Sequence, residues 1–227
     1  MQTQQIRWQH FDSISNLWHA ACDVIVQRAA LAIAERGQFI IVLAGGNTPR
    51  AVYRLLRDAP TDWSKWHVYY GDERCLARDH VDRNSLMAEQ ALLYHVAIPP
   101  RQIHAIPAEL GSIQGAQAYA GQLKNPGDFD LVLLGLGEDG HTASLFPGKP
   151  WDDGNAAIAV NHAPKPPAER VSISASRLSA ARQVLFLVSG EGKQTAINDW
   201  RAGVNIPASA ISPGSGVDVY CFGVQLS

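Results

Sequence analysis

Apolar positions recur along this chain with two periods, and the switches between them mark out its elements. From 13 to 36, Leu17, Ala20, Ala21, Val24, Ile25 and Leu31 repeat at helical spacing and Gly37 supplies a stop, which predicts one long amphipathic helix. FIIVL (39–43) follows with no polar position, as expected of a strand buried on both faces. AGGNTP (44–49) then makes a glycine turn into a second helix, with Asn47 or Thr48 as its cap and Pro49 in its first turn. WHVYYG (66–71) reads as a strand running into the turn DERCLARDH, 83–94 as a helix, QIHAI (102–106) as a short strand and 112–124 as a helix. FDLVLLGLG (129–137) is the clearest buried strand, and 138–155, with Pro147, Gly148, Pro150 and Gly154, reads as a loop or short helix. AAIAV (156–160), RVSIS (170–174), QVLFLV (183–188) and VDVYCF (217–222) are further strands, and 191–201 is a helix. Three prolines keep HAPKPPAE (162–169) out of regular structure.

Strands alternating with helices predict an α/β fold, a mostly parallel sheet covered on both faces. There is no internal repeat and no long linker, so 1–227 is expected to form a single domain. Ligands of such sheets bind beyond the carboxyl ends of the strands. Three polar turns meet that rule together: GGNTP after Leu43, DER after Tyr70 and GLGEDGH after Leu134.

Composition narrows the classes. Hydrophobic residues make up 46% of the 227 and charged residues 18%, enough apolar material for a sizeable core. The formal charge of −2 argues against a nucleic-acid surface. Cys22, Cys75 and Cys221 are scattered and odd in number, which predicts a reducing, cytoplasmic setting rather than a disulfide framework. The first residues lack the apolar core of a signal peptide, and no continuous apolar run approaches a membrane span.

Two glycines in AGGNTP allow backbone N–H groups to approach an anion, and the following helix adds its N-terminal donors, so Gly45, Gly46, Asn47 and Thr48 are a candidate phosphate cradle. The same turn also occurs between a strand and a helix with no ligand. GLGEDG (135–140) matches G-x-G-x-x-G, yet Pro147 and Gly148 leave no room for the long helix of a dinucleotide fold, and no acid follows the next strand. His141, just past that strand end, has an ordinary pKa suited to acid–base work, and Asp139 could orient the imidazole or an attacking water. Arg74 can fork two hydrogen bonds to a phosphate or pair with Asp72 or Glu73, and Lys193 has the same ambiguity. Arg170 opens a strand, which puts it at the end away from the ligand unless that strand is antiparallel. GxSxG, HExxH and GxxxxGK[ST] are absent, which disfavours serine hydrolase, zinc and P-loop chemistry.

LAGGNTP, YYGDERCL, NSLMAEQALL, FDLVLLGLGEDGHTASLFPG, RVSIS and VSGEGK together resemble, in order, the 6-phosphogluconolactonase family. The resemblance implies a three-layer α/β/α sandwich with a Rossmann-like sheet, of the sugar-phosphate isomerase/deaminase type. It implies hydrolysis of a phosphorylated sugar lactone without metal or cofactor. His141 takes the place of the base, with Asp139 beside it. Gly45, Gly46, Asn47, Thr48, Asp72, Arg74, Asn84, Gly137 and Lys193 take substrate-binding places. No nucleic-acid or membrane partner is implied, and a monomer or weak homodimer is expected. Glucosamine-6-phosphate deaminases share the GG and DGH motifs, but TASLFPG after DGH is the lactonase form. Asn47 stands where the family usually has Ser, and Arg83-Asn84-Ser85 where it often has S-N-Y.

Overall fold

Seven parallel strands make the central sheet of the computed structural model, which describes residues 4–124 and 126–226. In chain order the elements are β1 (Ile6–His10), α1 (Ile14–Arg36), β2 (Phe39–Leu43), α2 (Asn47–Leu56), β3 (Trp66–Tyr70), β4 (Asp72–Arg74), α3 (Asn84–Ala91), β5 (Ile103–His104), α4 (Ser112–Gln122), β6 (Leu131–Gly135), β7 (Ala157–Val160), β8 (Arg170–Ile173), α5 (Ala175–Ser179), β9 (Val184–Ser189), α6 (Gln194–Arg201) and β10 (Val217–Phe222). The central sheet runs β1-β10-β9-β6-β2-β3-β5, and β4-β8-β7 form a separate antiparallel sheet. Helices flank the central sheet, in the α/β/α arrangement the motifs imply.

Local chemistry accounts for the main elements. The Ser13 hydroxyl caps α1 by accepting from the Asn16 N–H at 3.1 Å, and Gly37 ends it in the left-handed conformation, φ 73°, which favours a residue without Cβ. Leu17, Ala21, Ile25, Ala29 and Ala32 form its buried stripe, packed on β2, β10 and α2. Fully burying a Leu or Ile there stabilises by about 1.5–3 kcal/mol. The sequence expectation about apolar length needs correction, because α1 is long and apolar enough by composition to cross a membrane. Its alanines raise the average without making a continuous run, and its buried stripe is spent on the sheet. Every residue of β2 is buried, as its unbroken apolar run predicts. At the far edge, Trp200 of α6 packs edge-on against Trp8 and Phe186, at 5.3 and 4.8 Å between centroids.

One strand goes unannounced and two expectations are overturned. Residues 6–10 form an edge strand that the pattern did not announce. DER is a short strand rather than a loop; β8 pairs with it and β7 pairs with β8, instead of joining the parallel sheet. Helix α2 begins at Asn47 with Gly46 as its N-cap, so neither Asn47 nor Thr48 caps it by side chain. The Thr48 hydroxyl instead bonds Ser189 Oγ at 2.7 Å.

Candidate active site

The chain leaves β2 toward β3 on one side and β6 toward β9 on the other, so strand order reverses between neighbours β2 and β6. Crevices open at the carboxyl ends of strands at such a point. A cavity of about 350 Å³ lies there, within the range of small-molecule sites. The turns after β2, β3 and β6 line it with Gly45, Gly46, Asp72 and Gly137, while Lys165, Arg170 and Lys193 come from farther along the chain.

His141 forms one wall. Its Nδ1 is paired with Asp139 Oδ1, and its backbone N–H reaches the same oxygen at 3.3 Å. Burial pulls the His141 imidazole below its ordinary pKa, against the opposing pull of Asp139. For Asp139, burial works upward, but the bonds from His141 leave the carboxyl below its usual range. The imidazole folds back over Gly137, where a Cβ would sit 1.9 Å from His141 Nδ1. The Gly137 N–H already donates to His141 O at 2.7 Å, so this glycine supplies space for the ring rather than a free donor. Gly140 is left-handed at φ 82°, and a Cβ there would lie 2.9 Å from Ile206, so the turn admits only glycine without rearrangement.

The small antiparallel sheet brings the cations. Arg74 and Arg170 are direct cross-strand partners, and both line the cavity. Like charges directly opposite destabilise a strand pair unless something negative lies between them. Because β8 is antiparallel to β4, Arg170 stands at the ligand end after all, the exception left open by the sequence. Only 5% of Arg170 is exposed, and its guanidinium bonds the carbonyls of Lys165, Pro166 and Pro167 at 3.0, 3.0 and 3.2 Å. Burial lowers its pKa, with Asp72 opposing and Arg74 adding to the effect. Those carbonyls belong to the proline-rich loop, which Arg170 thereby holds with Lys165 on the cavity wall. Burial also pulls the Lys193 ammonium down, with Glu138 opposing. Arg74 Nη1 donates to Asp82 O, while its Nε is buried without a partner among the described residues.

Buried acids hold the frame. Asp72 accepts from Asn84 Nδ2 at 3.0 Å and from Ser144 Oγ. Asn84 is therefore a brace for the wall as well as part of it, and a Cβ on Gly45 would overlap its amide at 2.1 Å. Glu73, wholly buried, accepts from the N–H groups of Asn84 and Ser85 at 2.8 Å each, capping α3, and pairs with buried Arg83 at 3.1 Å. Among the described residues, no three His, Cys, Asp or Glu side chains gather to hold a metal.

Of the residues singled out in the sequence, Gly45, Gly46, Asp72, Arg74, Asn84, Gly137, His141 and Lys193 line one cavity. Asn47 and Thr48 do not, since both have entered α2, and Asp139 stands behind His141. Lys165 and Ser144 were missed. Lys165 hides in a loop read only for its prolines, and no periodicity marks Ser144 as a partner of Asp72.

Comparisons with known proteins show the family. The family described as glucosamine-6-phosphate isomerases/6-phosphogluconolactonase matches residues 12–220. A 6-phosphogluconolactonase of Synechocystis sp. is 42% identical over 186 residues, 77% of this chain and 76% of that protein. One of Mycobacterium tuberculosis is 38% identical over 209 residues, covering 84% and 85%. The crystal structure of 6-phosphogluconolactonase from Thermotoga maritima superposes with a TM-score of 0.90 over 96% of this chain and 100% of its own, at 24% identity, which speaks for the fold. The chain thus belongs to the glucosamine-6-phosphate isomerase/6-phosphogluconolactonase family.

Proposed function

We propose that this chain hydrolyses 6-phospho-D-glucono-1,5-lactone to 6-phospho-D-gluconate, the lactone-opening step of the oxidative pentose phosphate pathway. Relatives named 6-phosphogluconolactonase over most of the chain support it. The observation that carries it is the pairing of His141 with Asp139 on one wall of a cavity whose other walls hold Arg74, Arg170, Lys165 and Lys193.

The cations and the Gly45–Gly46 turn take the 6-phosphate, whose charge relieves the Arg74–Arg170 juxtaposition. Asp139, ionised, fixes the proton of His141 on Nδ1 and leaves Nε2 as the acceptor. Nε2 removes a proton from water as the water oxygen bonds to the lactone carbonyl carbon. The tetrahedral intermediate collapses with cleavage of the bond to the ring oxygen, which takes the proton back from His141. The new carboxylic acid then ionises. A lactone is an activated ester, so anchoring and one base suffice, with no covalent nucleophile. Both sheets supply walls of the one cavity, so the chain works as one unit.

The test is lactone generated in situ, with ring opening followed beside a no-enzyme control. Wild-type protein accelerates it, and His141→Ala lowers kcat about 10²–10⁴-fold with the fold intact. Wild-type turnover by His141→Ala would remove His141 from the mechanism. Ammonia release from glucosamine 6-phosphate would point to the isomerase branch of the family instead.

A further inference from the structure

Two buried tyrosines end on the strand tips that line the cavity, and neither touches the cavity itself. The Tyr53 hydroxyl, from α2, accepts from the Ala44 N–H and donates to the Ala44 carbonyl, both at 2.9 Å. The Tyr119 hydroxyl, from α4, does the same to Tyr70, accepting from its N–H at 2.9 Å and donating to its carbonyl at 3.0 Å. Both side chains are fully buried. An extended residue points its N–H and C=O to the same side, where the next strand would bond both. Here no strand continues. On the side that Ala44 faces, β6 pairs with β2 only as far as Val42, and on the side that Tyr70 faces, β5 pairs only with Val68 and Tyr69 of β3. Each hydroxyl replaces the missing strand for one residue.

The residues just beyond are Gly45 and Gly46 after Ala44, and Gly71 and Asp72 after Tyr70, all of which line the cavity. Gly45 and Gly46 have no side chains to anchor them, so their position is inherited from the last fixed residue, and Gly71 leads directly from Tyr70 into Asp72. We propose that Tyr53 and Tyr119 are positioning residues, whose hydroxyls replace an absent strand and set where the two strand-end turns present their groups to the ligand. This rests on the lactonase reading above.

Tyr70 supplies the control. It is equally buried, it sits at the same strand tip, and its own hydroxyl has no partner among the described residues. Tyr70→Phe removes the same atom from the same neighbourhood without cutting a brace. Three variants of the full chain, Tyr53→Phe, Tyr119→Phe and Tyr70→Phe, are compared in lactone kinetics well below the melting temperature and in amide hydrogen exchange. Tyr53→Phe and Tyr119→Phe leave a buried N–H and carbonyl unpaired, and each is expected to raise KM about tenfold. Amide exchange accelerates at Ala44–Gly46 in the first and at Tyr70–Asp72 in the second, while Tyr70→Phe matches wild type in KM and in exchange. A lowered melting temperature with unchanged KM and unchanged local exchange makes both tyrosines merely structural and overturns the proposal, as does an equal effect from Tyr70→Phe. Should one variant fail to fold, the other carries the test, because each braces a different turn. Absence of lactone turnover in wild type would instead count against the function, and exchange would still judge the braces.

Discussion

Gly137 lies under the His141 ring, and Gly137→Ala is the narrowest way to disturb the base without touching it. An added Cβ would stand 1.9 Å from His141 Nδ1, 2.2 Å from Cε1 and 2.6 Å from Asp139 Oδ1, where non-bonded atoms need about 3.5–4.0 Å. The backbone at Gly137 is not left-handed, so alanine is tolerated there by the main chain. The side chains must therefore give way, and the His141–Asp139 bond breaks as the ring swings out. Stability should change little, because both side chains can turn toward solvent. Activity should fall as if the base were lost, about 10²–10⁴-fold in kcat, equivalent to about 2.7–5.4 kcal/mol of barrier. The assay is lactone turnover beside a no-enzyme blank, with a thermal melt on the same sample. A variant that melts with wild type and keeps kcat within threefold of it would show that the ring position over Gly137 is immaterial, and the mechanism would need another base.

Other expectations follow from the same site. Because burial holds His141 below its ordinary pKa of 6.5, kcat/KM should stay level from neutrality down through that value and fall only at lower pH. Asp139 opposes that depression, so Asp139→Asn should move the acid limb further down while lowering kcat, and a limb that moves up refutes the electrostatic assignment. Arg170→Lys keeps the charge but cannot fork to the carbonyls of Lys165, Pro166 and Pro167; KM should rise well above wild type, and an unchanged KM would detach the proline loop from binding. Glu73→Ala takes from buried Arg83 the nearer of its two carboxylates, leaving Glu109 at 3.4 Å, and uncaps α3, at a cost of about 3–5 kcal/mol read by denaturant titration; a loss under 1 kcal/mol would show that Glu109 takes over the pairing.

What could be read in advance followed from burial on both faces. β2, β6 and β9 are unbroken apolar runs because helices cover the sheet, and Gly37 marks the end of α1 because only a left-handed residue fits there. β1 was not legible, since an edge strand with only Ile6 and Trp8 half buried carries too weak a period. The small sheet was half legible. RVSIS and AAIAV read as strands, but the outer partner of RVSIS is Asp72-Glu73-Arg74, three charged residues with no apolar alternation. Without that partner, the direction of β8 could not be known, and the end of the strand that Arg170 occupies depends on it. Asn47 and Thr48 were placed in the turn because helix starts are set by backbone geometry at Gly46, and no side-chain signal reports it.

The same division explains how the site is assembled. The parallel sheet contributes the glycine turn and the histidine, elements whose strand-end positions follow from topology. The antiparallel sheet contributes the opposed arginines, whose charge needs an anion. The two meet at a short junction, where the Gly71 N–H donates to Leu43 O at 3.0 Å and the Gly71 carbonyl accepts from Ile173 N–H at 2.8 Å. Ser144 tightens it, since its hydroxyl donates to Asp72 and its N–H to Ser172 Oγ at 3.2 Å. The distance from His141 to the Arg74–Arg170 pair is therefore set by hydrogen bonds between sheets, not by either sheet alone. A phosphate at one end of a sugar lactone and a carbonyl at the other demand a fixed spacing of that kind, and a junction of buried, hydrogen-bonded groups is the means by which this chain can supply it.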